Sequence, residues 1–268
     1  MYHIIILFLF AIGILITNYY YNNKEYFNIK IPEDDFYSFY SKKEACEIFK
    51  TDPDAYFENL TPLDLYAMKF NDTQDAIQKM CQESRSFTAI EQDKLTKAMK
   101  ASDDVFNKIN IPYFDAKKCA SIPWKLIITK GKINEEGMPH TKKDIIYISD
   151  EIVDLDMKML ISVLVHEKVH VYERKYPQLM EEWIKWAGYK LHRKQSSIPH
   201  ARSNPDVDGW TYIDPKGRET VVLYKLNALP KNILDADYPV YEDPSSEHPY
   251  EKLAYMIDHM YTKGKYAL

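Results

Sequence analysis

His166-Glu167-Lys168-Val169-His170 is the stretch from which the fold and the site of this 268-residue chain can be worked out. It lies in a strongly apolar segment, residues 157–171, that is typical of a buried helix. Histidines at positions i and i+4 lie on the same helix face, so their imidazoles can bind one metal ion. Glu167 is then beside the metal's open coordination position, where it can act as a general base. The stretch therefore predicts a metal centre with His166 and His170 as ligands and Glu167 as the catalytic residue.

The alternative interpretation is a core helix that happens to contain two histidines. Each buried imidazole would then need a polar partner of its own, and Glu167 would be a carboxylate in an apolar helix with no partner to offset its burial. The HExxH pattern is also rare by chance in a chain of this length. Both considerations favour a metal centre.

Zn²⁺ in catalytic sites takes three protein ligands and leaves one position for water, so a third ligand is expected. The same helix carries Glu173 and Tyr176 where a metzincin pattern needs glycine and histidine. Residues 183–205 contain no acid that could serve as a thermolysin-like glutamate. Glu251, in the first turn of a helix predicted to begin at Pro249, is the best remaining candidate.

Four other residues remain alternatives for the third ligand. They are His192, His248, Asp258 and His259. Asp258 shares a helix face with Glu251, so it can also accept a hydrogen bond from a ligand imidazole.

The amino terminus carries an uncharged apolar run, residues 4–16, followed by three tyrosines. The whole stretch approaches the roughly 20 residues that span a bilayer. No basic residue precedes the run and no small-residue cleavage site follows it, which favours an uncleaved anchor over a signal peptide. We expect residues 1–22 to be a transmembrane anchor (or signal peptide), residues 23–120 a helical linker and N-terminal subdomain, and residues 121–268 the catalytic domain.

The predicted fold class is α+β and mainly helical, with a small antiparallel sheet and an active-site helix. The segments that carry this prediction are helices over residues 88–109, 154–174, 179–194 and 249–262, strands over 124–129 and 144–149, and a hairpin over 209–225.

Composition excludes some classes of protein. The net charge of −5 gives no attraction to nucleic acid, which is not expected as a partner. Cys46, Cys81 and Cys119 are too few for a disulfide framework and form no CxxC pair. We interpret them as buried thiols, with a disulfide between two of them only if the domain is extracytosolic.

Several strings around the central motif add a resemblance. They are residues 137–141 (GMPHT), 144–148 (DIIYI), 166–177 (HEKVHVYERKYP), 204–206 (NPD), 209–210 (GW) and 248–251 (HPYE). Over about residues 123–258 the chain resembles a group of zincin-like metallopeptidases found in large DNA viruses and some protists. The resemblance implies a zincin-like domain and hydrolysis of a peptide or protein substrate. By analogy with zincins, residues 144–149 would be the sheet edge that pairs with an extended substrate.

The combined expectation is a single-pass, membrane-anchored zinc peptidase, on a virion or host membrane if the chain is viral. Candidates for the group that stabilises the oxyanion are Tyr212, Tyr255, Arg202 and His140.

Two other classes remain open. One is a membrane-tethered binding protein whose zinc only stabilises the fold, with His248 or His259 closing a four-ligand site. The other is a hydrolase of non-peptide amides.

Overall fold

The computed structural model describes residues 36–52, 54–225, 228–240 and 243–266. The predicted membrane anchor, residues 1–22, lies outside the described residues. Among the helices within them, none has the length and apolar character needed to span a bilayer.

The structure is mixed α and β, and about 50% of it is helical. The helices are α1 (Lys42–Thr51), α2 (Tyr56–Asn59), α3 (Pro62–Ala67), α4 (Thr73–Glu83), α5 (Ala89–Phe106), α6 (Ala116–Ala120), α7 (Asp150–Asp154), α8 (Met157–Lys175), α9 (Pro177–Trp186) and α10 (Pro249–Lys263). The strands are β1 (Tyr37–Phe39), β2 (Ser84–Arg85), β3 (Trp124–Thr129), β4 (His140–Lys142), β5 (Ile145–Ser149), β6 (Lys190–Lys194), β7 (Trp210–Ile213), β8 (Leu223–Tyr224) and β9 (Ala236–Asp237).

Strands β1 to β5 form one mixed sheet. β3 pairs in parallel with β1 and β5, whereas β2 pairs antiparallel with β3 and β4 pairs antiparallel with β5. The prediction of an antiparallel sheet is therefore wrong at its centre. The chain leaves β3, returns along β4 and reverses again into β5, so β5 runs in the same direction as β3.

The same topology corrects the predicted sheet edge. Residues 144–149 contain β5, which has a partner on each side. The edge beside it is β4, which was not predicted as a strand because it is only three residues long.

Alternate residues of the two central strands face two separate apolar cores, because successive side chains of a strand point to opposite faces. Leu126 and Ile146 belong to the core that includes α5, α8 and α10. Ile127, Ile145 and Tyr147 belong to the core formed with α1 to α4. Burial on both faces explains why both strands are continuous apolar runs.

Residues 36–120 share this sheet and these cores with the described residues that follow. The unit Phe36–Leu268 is compact as a whole. Residues 36–120 and residues 121–266 therefore belong to the same compact unit.

The two helices that carry the predicted ligands begin and end close to the predicted residues. Asp156 caps α8 by accepting a hydrogen bond from the backbone N–H of Met159, and Pro177 opens the next helix. The side chain of His248 caps α10 at the turn that begins with Pro249. α8 and α10 pack against each other.

One local prediction is wrong and another is confirmed only in part. The helix expected over residues 179–194 ends at Trp186, because Gly188 has a φ of +82° and ends the helix before β6 begins. The hairpin expected over residues 209–225 forms at its turn, where the N–H of Gly217 donates to the Asp214 carbonyl. An antiparallel bridge between Ile213 and Glu219 continues the hairpin, whereas the longer pairing of β7 is with β6.

A disulfide joins Cys46 of α1 to Cys81 of α4. Cys119 is a buried free thiol. The interpretation as a buried thiol is therefore correct for Cys119, and the disulfide left open as an alternative forms between the other two.

Candidate metal centre

The side chains of His166, His170 and Glu251 converge where α8 crosses α10. The Nε2 atoms of the two imidazoles are 3.1 Å apart. The Glu251 Oε2 atom lies 3.4 Å from His166 Nε2 and 3.7 Å from His170 Nε2. One ligand atom from each of these residues can be chosen so that all three lie within 4.8 Å of one another. The structure thus brings together the three predicted ligands, from helices about eighty residues apart in sequence.

The charge state of this group suits a divalent cation. Burial lowers the pKa of His170 to about 3, so the imidazole is neutral and its lone pair is free for a metal. Burial also lowers the pKa of His166, but the hydrogen bond and charge of Glu251 outweigh it and the net shift is upward. Burial raises the pKa of Glu251, yet the two imidazoles and the amide of Asn204 reverse this and hold it at about 2. The group therefore combines neutral imidazole with a buried anion, a donor set that first-row divalent metals accept.

Glu173 fixes the orientation of one ligand. Its Oε2 atom lies 2.8 Å from His170 Nδ1, and both side chains are fully buried. A carboxylate on Nδ1 leaves Nε2 of His170 directed at the metal position. Asp258, the residue predicted for this role, instead accepts a hydrogen bond from Ser162. The sequence signal for Glu173 was its position three residues after His170, on the same helix face.

Glu167 lies under the edge strand of the sheet. Its side chain is 2% exposed, and the Thr141 hydroxyl donates to Glu167 Oε2 over 3.0 Å. Burial raises the pKa of Glu167 to about 8, although the Thr141 hydrogen bond acts in the opposite direction. A nearby cation would lower that pKa, because it favours the ionised carboxylate. Thr141 was not singled out in the sequence, because its contact depends on how β4 crosses α8.

One cavity of about 300 Å³ opens onto these residues. His166, Glu167 and Glu251 lie on its wall. The other lining residues used below are Met138, His140, Ser162, Arg202, Asn204, Pro205, Asp206, Tyr238, Glu247, Tyr255 and Asp258.

None of the four alternative ligands is part of the metal group, although Asp258 lines the same cavity. His192 is exposed on β6, with its Nε2 3.8 Å from Glu219. His248 bonds the Trp210 carbonyl and the Asp208 carboxylate, and His259 is exposed. None of the four belongs to a metal-ligand group within the described part of the chain.

Three of the four oxyanion candidates line the cavity, and one of them, Tyr255, packs against the ligand His166. Its ring centroid is 4.6 Å from that of His166. Burial raises the pKa of Tyr255, so its hydroxyl remains a hydrogen-bond donor at neutral pH. Arg202 donates to both oxygens of Glu247. Tyr212, outside the cavity, donates to Asp208.

The remaining candidate, His140, uses both ring nitrogens in the fold. Nδ1 lies 3.2 Å from the Met138 carbonyl and Nε2 lies 3.0 Å from the Asn134 side chain. Burial lowers its pKa well below the usual range, so the ring is neutral.

No protein-family model, curated protein or solved structure matches this chain. The resemblance to zincin-like peptidases therefore stays a prediction from the sequence.

Proposed function

We propose that this chain is a zinc-dependent peptidase with a zincin-like fold. The observation that carries the proposal is the convergence of His166, His170 and Glu251, two of which, His166 and Glu251, line one cavity together with Glu167. A metal site and a general base are the two parts that metal-assisted hydrolysis requires. We also propose, from the sequence alone, that residues 4–16 tether the chain to a membrane.

Zinc is the metal that best fits the donor set. Two imidazoles and one carboxylate are a donor set found in catalytic zinc sites. When bound, zinc would polarise a carbonyl and lower the pKa of water beside it.

In this proposal Glu167 accepts a proton from the attacking water and passes it to the amine that leaves. The Thr141 hydroxyl holds one oxygen of Glu167 in place, and Glu167 lines the cavity. Tyr255 donates to the carbonyl oxygen as negative charge develops on it.

A purely structural metal site is less well supported. Such a site is closed by four protein ligands, whereas the described residues offer a group of three. Two of the three ligands, His166 and Glu251, also line a cavity.

Metal content and hydrolysis test the proposal separately. Wild type should bind about one zinc per chain, and Glu251→Ala and His166→Ala should lose most of it. Glu167→Gln should retain the metal, and its kcat on peptide substrates should fall by about 10²–10⁴-fold. Full zinc occupancy in Glu251→Ala would refute the third ligand, and an active Glu167→Gln would refute the base.

A further inference from the structure

The edge strand beside the metal group is covered. β4 is the sheet edge nearest to the cavity, yet its three residues, His140, Thr141 and Lys142, are all at most 3% exposed. The pairing of Thr141 with Ile146 leaves the N–H of Thr141 pointing away from β5. That N–H donates to Asp206 Oδ1 over 2.6 Å. Asp206 thus occupies the place that a carbonyl of an added peptide strand would take.

Asp206 belongs to a strap, which we define as residues 202–206. The Nη2 of Arg202 donates to both oxygens of Glu247 at 2.7 and 2.8 Å, and both side chains are buried. The backbone N–H of Arg202 also donates to the carbonyl of Val222. Hydrogen bonds to Glu247 and Val222 therefore hold one end of the strap in place.

Further hydrogen bonds hold the middle of the strap. Ser203 donates through its N–H and its hydroxyl to Asp64, which is fully buried. Asn204 donates to Glu251, and the Pro205 carbonyl accepts from Arg174. Hydrogen bonds to buried carboxylates are strong, so displacing the strap would break several of them at once.

We infer that this site hydrolyses short peptides or the ends of longer chains, and not internal bonds of an extended polypeptide. The inference rests on the proposed function and names its substrate class. An extended chain gains affinity from backbone pairing with a sheet edge, and the strap takes that edge. What remains is a cavity of about 300 Å³, at the lower end of the roughly 300–1,000 Å³ that ligand pockets occupy.

The first experiment compares zinc-loaded wild type on a library of free peptides of about two to eight residues and on an unfolded protein, with products read by mass spectrometry. We expect terminal or short-peptide hydrolysis, with kcat/KM for internal bonds lower by about 100-fold or more. Comparable internal cleavage by wild type, absent from Glu167→Gln, would overturn the inference and leave the peptidase proposal standing. Hydrolysis of neither substrate class would overturn the peptidase proposal, and the inference with it.

The second experiment changes the strap. Asp206→Ala frees the N–H of Thr141 and should raise the ratio of internal to terminal cleavage, whereas Asp206→Asn keeps an accepting oxygen and should keep the wild-type ratio. An unchanged ratio in Asp206→Ala would count against the strap as the cause.

Should Asp206→Ala not fold, zinc-loaded Glu167→Gln provides the deciding measurement. Its affinity for uncleaved peptides should stop increasing beyond about three residues. A steady gain out to about eight residues would show that an extended chain is bound and would overturn the inference.

Discussion

At the scale of single residues, Glu173 supports the metal site by fixing the orientation of the ligand His170. Its carboxylate holds Nδ1 of His170 at 2.8 Å in a fully buried position. Removing it frees the imidazole to rotate and leaves a buried N–H without a partner. We expect Glu173→Ala to lower zinc affinity by about 10- to 100-fold, measured by competition with a chelator of known affinity.

The matched control is Glu173→Gln, whose amide oxygen can still accept from Nδ1. This variant should stay close to wild type in zinc affinity. A second control, Asp258→Asn, changes a carboxylate that bonds Ser162 and acts on His166 only through its charge, so it should change the affinity much less than Glu173→Ala does. If Asp258→Asn weakens zinc binding and Glu173→Ala does not, the assignment of Glu173 is wrong.

At the scale of single elements, the start of α5 contains a carboxylate with a shifted pKa. Glu91 accepts hydrogen bonds from both terminal nitrogens of Arg85 and forms a capping box with Thr88. The Arg85 hydrogen bond is the main reason that the pKa of Glu91 falls from 4.5 to about 2. Because the folded-state pKa is below the unfolded one, the ionised carboxylate stabilises the fold above about pH 4.5 and this stabilisation is lost toward pH 2.

Glu91→Gln should therefore be less stable than wild type by about 1 kcal/mol at pH 7, since the pair is partly exposed and the cap is weakened. The difference between the two proteins should shrink as pH falls from about 4.5 to 2. Urea unfolding at a series of pH values measures it. Asp93→Asn, on the same helix, removes an exposed pair with Lys97 and serves as the control. A constant difference between Glu91→Gln and wild type across this pH range would contradict the argument.

The disulfide between α1 and α4 gives a second prediction at this scale. It closes a loop between residues 35 apart in sequence, which constrains the unfolded chain. Reduction, or replacement of Cys46 and Cys81 by alanine, should cost about 3–4 kcal/mol of unfolding free energy. Unfolding with and without reductant measures this cost.

Cys119→Ala is the control for the disulfide, because Cys119 is a free thiol and cannot respond to reductant through a bridge. Its unfolding free energy should drop on reduction by the same amount as that of wild type. If reductant leaves the stability of wild type unchanged, Cys46 and Cys81 are not paired in solution.

Local sequence signals were sufficient to predict some helices, but not the strand pairing or the disulfide. The capping residues Thr88, Asp156 and His248 act within a few residues of chain, so the helices α5, α8 and α10 could be predicted closely. The parallel pairing of β3 with β5 depends on a crossover and cannot be read from either strand. The Cys46–Cys81 disulfide could not be predicted from local sequence either, because it depends on the packing of α1 on α4.

At the scale of the whole molecule, the three metal ligands could be predicted but their surroundings could not. His166 and His170 follow from helix geometry, and Glu251 followed from elimination of other acids. The Thr141 contact to Glu167 and the Asp206 contact to Thr141 join segments 26 and 65 residues apart in sequence. No local pattern reports such contacts, because they are set by how the sheet, α8 and the strap pack together.

The same long-range packing predicts that residues 121–268 do not fold alone. α5 buries Leu95, Met99 and Phe106 completely in the core that contains α8, and β1 is the parallel partner of β3. Losing the burial of each such side chain costs about 1.5–3 kcal/mol, and a whole domain is stable by only about 5–15 kcal/mol. A chain beginning at residue 121 should therefore show no cooperative thermal transition by circular dichroism and no stoichiometric zinc uptake. A chain beginning at residue 36, which retains the compact unit, is the control and should show both. Cooperative unfolding of residues 121–268 near the melting temperature of the control would mean that the front helices are an accessory to the site rather than part of its core.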